Sequence, residues 1–545
     1  MKNAGLAWID WLIISVYASS TIVLGWYYSR KQKDAKDYFV GSGNMSPFLV
    51  GVSLFATHLS AISYLSVPGE TIGKGPIFIL LVLPAYPVSY LIVSRFILPL
   101  YMRHRVTSAY ELLEERLGLG IRILGGVMFI LVRLTWMCLL VYVAARAMTV
   151  MLGVDESWIP WIVLVTGFVS IIYASLGGLR AVVITDFLQT ALLLGGAILV
   201  VVLITIELGD LSWVPTTWQP FWDVQPAFSF DPQIRVTMFG TFFSVLVWTI
   251  CTAGGDQLSV QRFMATRDLA AAKRSYLTQT LVGFTVLGTL LFVGFALLGY
   301  FQARPDELPL GLSLAENGDQ IFPRFISFHL PVGISGLVIS AMFAAAMSSL
   351  DSGVNSITAV VTNDFLDRFG LKPKTAKGHV RLAQCLAFGL GAVVVIVSSY
   401  MGNVPGNITG MTARTTNLLA TPAFSLFFFA LFIKFGKPAG AVVGAIYGIV
   451  AGVLIAFSGN FYDHLQTLPA LAPAGVVDTT PLSFQWISPV SLAVNLASGA
   501  ILSKLIQAGD SRRKIVLKSS LALLPLLGLI ALILGWPWID KLFLN

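Results

Sequence analysis

The residues best suited to chemistry are gathered in one short stretch, Ala345-Ala-Met-Ser348-Ser349-Leu-Asp351-Ser352-Gly353-Val-Asn355. On a helix that turns about 100° per residue, Ala345, Ser348, Ser349 and Ser352 share an arc of about 100°. Asn355 falls close to Ser348 on that stripe, and Asp351 flanks it on one side. Small residues and hydroxyls on one face let helices approach closely, and that packing role competes with a chemical one. The carboxylate favours the chemical role, because hard oxygen ligands with one or two charges are what an alkali cation needs. A second carboxylate, Asp186, stands in Gly177-Gly178-Leu-Arg180-Ala-Val-Val-Ile-Thr185-Asp186-Phe-Leu-Gln189. It suits a helix start, where the dipole favours an acid, as well as it suits an ion. Arg133, in Phe129-Ile-Leu-Val-Arg-Leu-Thr-Trp136, lies roughly 18 Å along its helix at about 1.5 Å per residue, too deep for easy snorkelling. Its guanidinium calls for a protein carboxylate, freed carbonyls, or an anionic ligand. Arg146, thirteen residues on, projects to a different face and reads as a snorkelling anchor.

The elements that position these residues are membrane helices. Of 545 residues only 11% are charged, 56% belong to the apolar set, and the mean hydropathy is +0.81. No soluble core buries that much apolar surface, so the chain reads as an all-α polytopic membrane protein and not a water-soluble enzyme. The net charge of +8 marks topology rather than nucleic acid, since no basic stretch is long or aromatic enough. Three cysteines inside apolar runs and five scattered histidines indicate no disulfide framework, zinc site, haem or copper. The N-terminus lacks a basic stretch and a cleavage site, and reads as a retained helix. Spans are expected at about 7–28, 46–74, 76–101, 121–152, 158–176, 182–207, 234–254, 275–302, 328–366, 376–402, 411–434, 437–459, 486–508 and 515–538, fourteen in all. Alternating from a cytoplasmic Arg30–Lys36 segment puts 25 Lys and Arg on the inner side and 5 on the other, with five more inside spans. Both termini are then extracytoplasmic. Two spans have polar, Gly- or Pro-interrupted interiors: Gly51 to Glu70, and Val245 to Gln257. Each opens a block of five spans, the mark of an inverted-repeat transporter with discontinuous helices.

Three motifs carry a resemblance. Gly177 to Gln189, Asp256-Gln257-Leu-Ser-Val-Gln261-Arg262 and Ser348-Ser349-Leu-Asp-Ser-Gly-Val-Asn355 together resemble the signature of the sodium:solute symporter family, and Asp37-Tyr-Phe-Val-Gly41 is similar to its opening. The resemblance runs from about residue 8 to residue 460. It implies a LeuT-like fold of two inverted five-helix repeats with one leading and three trailing helices, in agreement with about 14 transmembrane spans. The corresponding divisions are 1–45 (leading helix and cytoplasmic loop), 46–207 (first repeat), 208–233 (extracytoplasmic loop), 234–434 (second repeat) and 435–545 (trailing helices). For the sites, it implies a main sodium site made of the carbonyls of Ala56, Leu59 and Ala345 with the hydroxyls of Ser348 and Ser349. Members with a second sodium use positions matching Asp186, Ser348, Asp351 and Ser352; Asp351 stands where sialic-acid transporters have a serine, which keeps an oxygen ligand but changes the charge.

Substrate positions match unevenly. Galactose-type members place an Asn and a gating Tyr where this chain has Thr249 and Thr252, and an acid–amide pair where it has Ile62 and Ser63. Sialic-acid members carry an Arg at the position of Arg133 and hydroxyls at Ser60 and Ser63, with Thr in place of His58. The resemblance thus implies a substrate site of His58, Ser60, Ser63, Arg133, Thr249 and Thr252, and a small anionic organic solute, sialic acid or another carboxylate, ahead of a neutral sugar. The expected activity is sodium-coupled symport by alternating access in the inner cell membrane, with Na+ as coupling ion and only metal. Lipid, sodium and the solute are the expected partners, with no nucleic acid and no obligate protein partner. No cluster of catalytic or redox groups supports an enzyme, and the different-class alternative is a transporter-like solute sensor.

Overall fold

The computed structural model describes all residues except 1–5, 60, 224–227, 309–310, 372, 402–407, 461, 463–479, 508 and 544–545. Every regular element among the described residues is helical. The chain runs through α1 (Trp8–Ser29), α2 (Ala35–Val40), α3 (Pro47–His58), α4 (Ala61–Lys74), α5 (Ile77–Val82), α6 (Ala85–Ile92) and α7 (Leu98–His104). It continues with α8 (Glu111–Leu117), α9 (Leu119–Leu152), α10 (Ile159–Leu208), α11 (Met238–Gly255), α12 (Gln257–Met264), α13 (Leu269–Ala303) and α14 (Gly318–Phe328). The last helices are α15 (Ile334–Val360), α16 (Ala376–Tyr400), α17 (Ile408–Leu431), α18 (Pro438–Ala456), α19 (Ile487–Leu505), α20 (Arg512–Leu521) and α21 (Leu524–Phe543).

Among the described residues eleven helices are long and apolar enough to cross a membrane, or twelve if the bent pair α3 and α4 forms one span. The pair turns by 67° at the polar centre of the second expected span. The seventh expected span breaks too, at Asp256, where the backbone is extended (φ −106°, ψ 124°) between α11 and α12. The count differs from fourteen mainly at α10 and α17. The 50 residues of α10 would reach about 75 Å, more than twice the ~30 Å hydrocarbon thickness, so it must bend between two crossings. It does so at Gly178, whose φ of +59° and ψ of −165° lie outside the helix region. A Cβ there would stand 2.6 Å from the carbonyl oxygen of Tyr38, so only glycine fits. In α17 the apolar part covers only Ala420–Leu431.

Two compact units are present. The first comprises Met1–Ser108, Ile130–Val224 and Gln257–Pro405, and in it α10 packs on α15, α1 on α10, and α13 on α3. One end of it is fastened by a carboxylate. Asp10 on α1 is 2% exposed, and its Oδ1 accepts the backbone N–H groups of Gly333 at 2.7 Å and Gly336 at 2.8 Å. These donors open α15 and lack helical partners, so α1 caps the helix that carries the serine stripe. Asp268 caps α13 likewise, accepting from the Ala271 N–H at 2.8 Å, which holds its carboxyl below the usual carboxylate range.

The second unit comprises Ala109–Phe129, Gln225–Asp256 and Gly406–Asn545. Its core is α18 against α19, where Gly440, Gly444, Gly448 and Gly452 recur every fourth residue. A Cβ at Gly444 would stand 2.5 Å from the Asn495 carbonyl, so the backbones meet directly. Ser491 seals the contact, donating to the Gly448 carbonyl at 2.7 Å.

Candidate functional site

The breaks in α3/α4 and α11/α12 leave helix-end carbonyls without intrahelical donors, and in the first unit one of them meets the serine stripe. Ser348 Oγ on α15 lies 3.2 Å from the Ala56 carbonyl and 3.2 Å from the Ala345 carbonyl. Leu59 leaves the helix in extended conformation (φ −81°, ψ 127°) directly after His58. Ser349 Oγ is buried and has no hydrogen-bond partner among the described residues. A buried hydroxyl without a partner is costly in a bilayer, and a cation ligand is one role that repays that cost. Ala56, Ala345 and Ser348 are therefore brought together, with Ser349 next in the chain and Leu59 at the break.

One turn further along α15 the polar cluster changes character. Asp351 Oδ2 accepts from Tyr173 Oη at 2.5 Å, and Oδ1 from Ser352 Oγ at 3.2 Å. Gln189 Nε2 donates to Tyr173 Oη at 3.2 Å, which carries the network along α10. Asp186 Oδ2 accepts from Ser53 Oγ at 2.5 Å, while Oδ1 is buried with no hydrogen-bond partner among the described residues. Both carboxylates are fully buried.

A residue assigned to an inner loop by charge counting completes this cluster. Arg262 lies on α12, all eight residues of which are buried, and is itself 0% exposed. Its Nη2 lies 3.3 Å from Asp186 Oδ2 and 2.6 Å from Ser352 Oγ, its Nε 2.7 Å from Ser53 Oγ, and its Nη1 3.2 Å from the Leu258 carbonyl. Two of the four residues expected to form a second sodium site, Asp186 and Ser352, thus hold a guanidinium. The neighbouring Gln261 donates to the Phe39 carbonyl at 2.6 Å and to Asn355 Oδ1 at 2.7 Å, so Asn355 faces α12. The sequence signal for Arg262 was its place in the Asp256–Arg262 motif between Val260 and Phe263, apolar neighbours that a loop arginine seldom has.

The expected substrate residues are more dispersed. His58 shares a hydrogen bond of 3.2 Å with Ser259 Oγ, linking the end of α3 to α12. Ser63 on α4 and Arg133 on α9 are half-buried, and Ser60 lies outside the described residues. Thr249 and Thr252 belong to the second unit and turn back onto α11: Thr249 Oγ1 donates to the Val245 carbonyl at 2.7 Å, and Thr252 Oγ1 to that of Trp248 at 2.9 Å. Both hydroxyls remain able to accept. Arg146 pairs with Glu156 at 3.2 Å on the surface, in keeping with an anchoring role.

A multi-pass helical bundle with two helices broken in mid-span, and with helix-end carbonyl, hydroxyl and carboxylate oxygens gathered beside one of the breaks, defines a secondary transporter. Comparison with known proteins makes the class specific. The chain belongs to the sodium:solute symporter family, whose pattern it matches over residues 38–448. It is a sodium-coupled symporter in a membrane, with sodium and a small solute as its ligands, and not an enzyme. It is 30% identical to the sodium/sialic acid symporter SiaT of Proteus mirabilis, over 88% of this chain and 97% of that one. To the sodium-coupled monocarboxylate transporter 1 of Xenopus laevis it is 25% identical, over 88% of this chain and 77% of that one. Among solved structures it is similar to the substrate-bound, outward-open state of a Na+-coupled sialic acid symporter, at 25% identity and a TM-score of 0.75, covering 92% of this chain and 98% of that one. The LeuT-like fold is common to both.

Proposed function

We propose that this chain imports a sugar acid of the sialic-acid type, using one face of α15 for sodium and the Arg133 guanidinium for the solute's carboxylate. The observation that carries the sodium half is Ser349 Oγ, buried without a hydrogen-bond partner among the described residues, next in the chain to Ser348, which meets the Ala56 and Ala345 carbonyls. Support for the solute half comes from the near full-length similarity to a sialic acid symporter, and from a second relative that also carries a carboxylate. Arg133 gives the carboxylate a partner that lysine or a neutral donor does not match, because a guanidinium binds it through two parallel hydrogen bonds. His58 and Ser63, in the same unit as Arg133, are positions left to the solute's hydroxyls. We place fourteen spans in the inner membrane with both termini outside, on the 25-to-5 distribution of basic residues.

The test is sodium-dependent thermal stabilisation of the purified protein. Sialic acid should raise the melting temperature in sodium but not in choline, a short monocarboxylate should do so less, and a neutral hexose should not. Stabilisation by the hexose alone would replace the anionic reading with the neutral one.

A further inference from the structure

The second unit carries a surface that sodium and solute do not use. Its helix α20 packs one face on the bundle: Ile515 joins the buried cluster of Leu502, Ile506 and Ala522, and the Ser519 carbonyl accepts from Tyr447 Oη at 3.1 Å. The opposite face is bare. Val516 and Leu517 are 70% and 72% exposed, and Leu521, one turn on, is exposed with them. At about 100° per residue Arg513 shares this face, and Lys514 borders it. The apolar stretch that crosses the membrane here runs from Arg513 to Ile533. Both cations therefore stand at its border, level with lipid headgroups, and the apolar side chains stand further in. The segment 501–521 holds five Lys and Arg against one acid, Asp510, and Lys518 takes that carboxylate at 2.6 Å. A helix start disfavours cations, and the first turn of α20 has no acid to offset them.

We propose that α20 is a docking surface for an anionic phospholipid, with Arg513 and Lys514 holding the headgroup phosphate and the acyl chains lying along Val516, Leu517 and Leu521. Charge complementarity selects the occupant. Two cations at the border of a span, in a segment whose single acid is already paired, match an anionic headgroup, and the exposed apolar side chains beyond them match its tails. A soluble anion would satisfy the cations and leave the apolar face bare, and a zwitterionic lipid would cover that face without bringing net negative charge. Lys504, at the end of the helix on which α20 packs, adds to the positive field from its place over the Phe435 ring, 5.3 Å from the centroid. The proposal stands apart from the sodium and solute readings, since none of these residues belongs to either site.

The experiment follows the melting temperature of the purified full-length protein, in a neutral detergent, as dioleoyl phosphatidylglycerol is titrated in. Phosphatidylglycerol should raise it to a plateau, and phosphatidylcholine with the same acyl chains should not. The double variant Arg513→Gln/Lys514→Gln, which changes exposed side chains only, should need about 25-fold more phosphatidylglycerol for half the effect. Lys374→Gln/Lys377→Gln removes the same charge from an exposed segment of the first unit and should titrate like the wild type. Equal stabilisation by phosphatidylcholine would overturn the proposal, because the headgroup would then not be recognised. An equal shift in both double variants would overturn it as well, reducing the effect to overall surface charge. Displacement of the lipid by an equal concentration of inorganic phosphate would do the same, since the site would then hold a free anion and not a lipid.

Discussion

Arg262 Nη2 and Asp186 Oδ2 lie 3.3 Å apart with both side chains fully buried, joining α12 to α10 through the centre of the first unit. A pair of this kind contributes little relative to an apolar core, but leaving either partner alone is costly, about 3–5 kcal/mol. Asp186→Asn and Arg262→Gln should each lower thermal stability strongly. The double variant should be less destabilised than the sum of the two, because it strands no charge. Melting curves of the three proteins in one detergent check this, and strict additivity would mean the two groups do not interact.

Ser349 offers a sharper separation of function from folding. Among the described residues its Oγ has no hydrogen-bond partner, so Ser349→Ala should leave stability without sodium nearly unchanged. It should nonetheless weaken sodium activation by about tenfold, the loss of a ligand to a charged group being worth roughly 1.5–3 kcal/mol. Ser348→Ala should weaken sodium similarly. Sodium titrations of uptake beside melting curves in choline give both readouts, and a sodium response like the wild type in both variants would remove the serines from the site.

Asp10 predicts the opposite pattern. Asp10→Ala strands the Gly333 and Gly336 donors at the start of α15 and should cost about 1.5–3 kcal/mol of stability, with Asp10→Asn costing less because it keeps an acceptor. Its distance from the serine stripe along α15, some twelve residues from Gly336 to Ser348, leaves the sodium half-activation as it was. A large change in sodium affinity with unaltered melting would show that the cap sets the ion site.

Much of this architecture was legible in the sequence, for reasons that are local. Polar and Gly/Pro residues inside apolar runs betrayed the breaks at Leu59 and Asp256, because backbone freed in a membrane needs a reason to be there. The expected spans 158–176 and 182–207 bracket the bend that the structure puts at Gly178. The serine stripe followed from helical periodicity alone. Arg262 did not, because counting basic residues treats an arginine near the inner end of a span as topology, and its partner Asp186 is 76 residues away in the chain. Asp10 was invisible for the same reason, its donors lying more than 300 positions further on. The flanking position assigned to Asp351 gave no hint that Tyr173 on α10 would donate to it.

Arg133 carries the specificity prediction. Arg133→Lys keeps the charge but loses the two-pronged contact, and should raise the KM for the anionic solute about tenfold or more with sodium binding intact. Arg133→Gln should nearly abolish uptake. Normal transport by Arg133→Gln would make this arginine a structural residue.

The most direct measurement is uptake of labelled sialic acid into proteoliposomes under an inward sodium gradient, with and without an interior-negative potential. Each charge moved through 100 mV contributes about 2.3 kcal/mol, enough for roughly 50-fold accumulation from voltage alone if one net positive charge crosses per cycle. Accumulation should follow the sodium gradient and vanish when choline replaces sodium; one sodium per carboxylate would make it insensitive to the potential, and each further sodium would make it rise with the potential. Uptake that persists in choline would contradict sodium coupling.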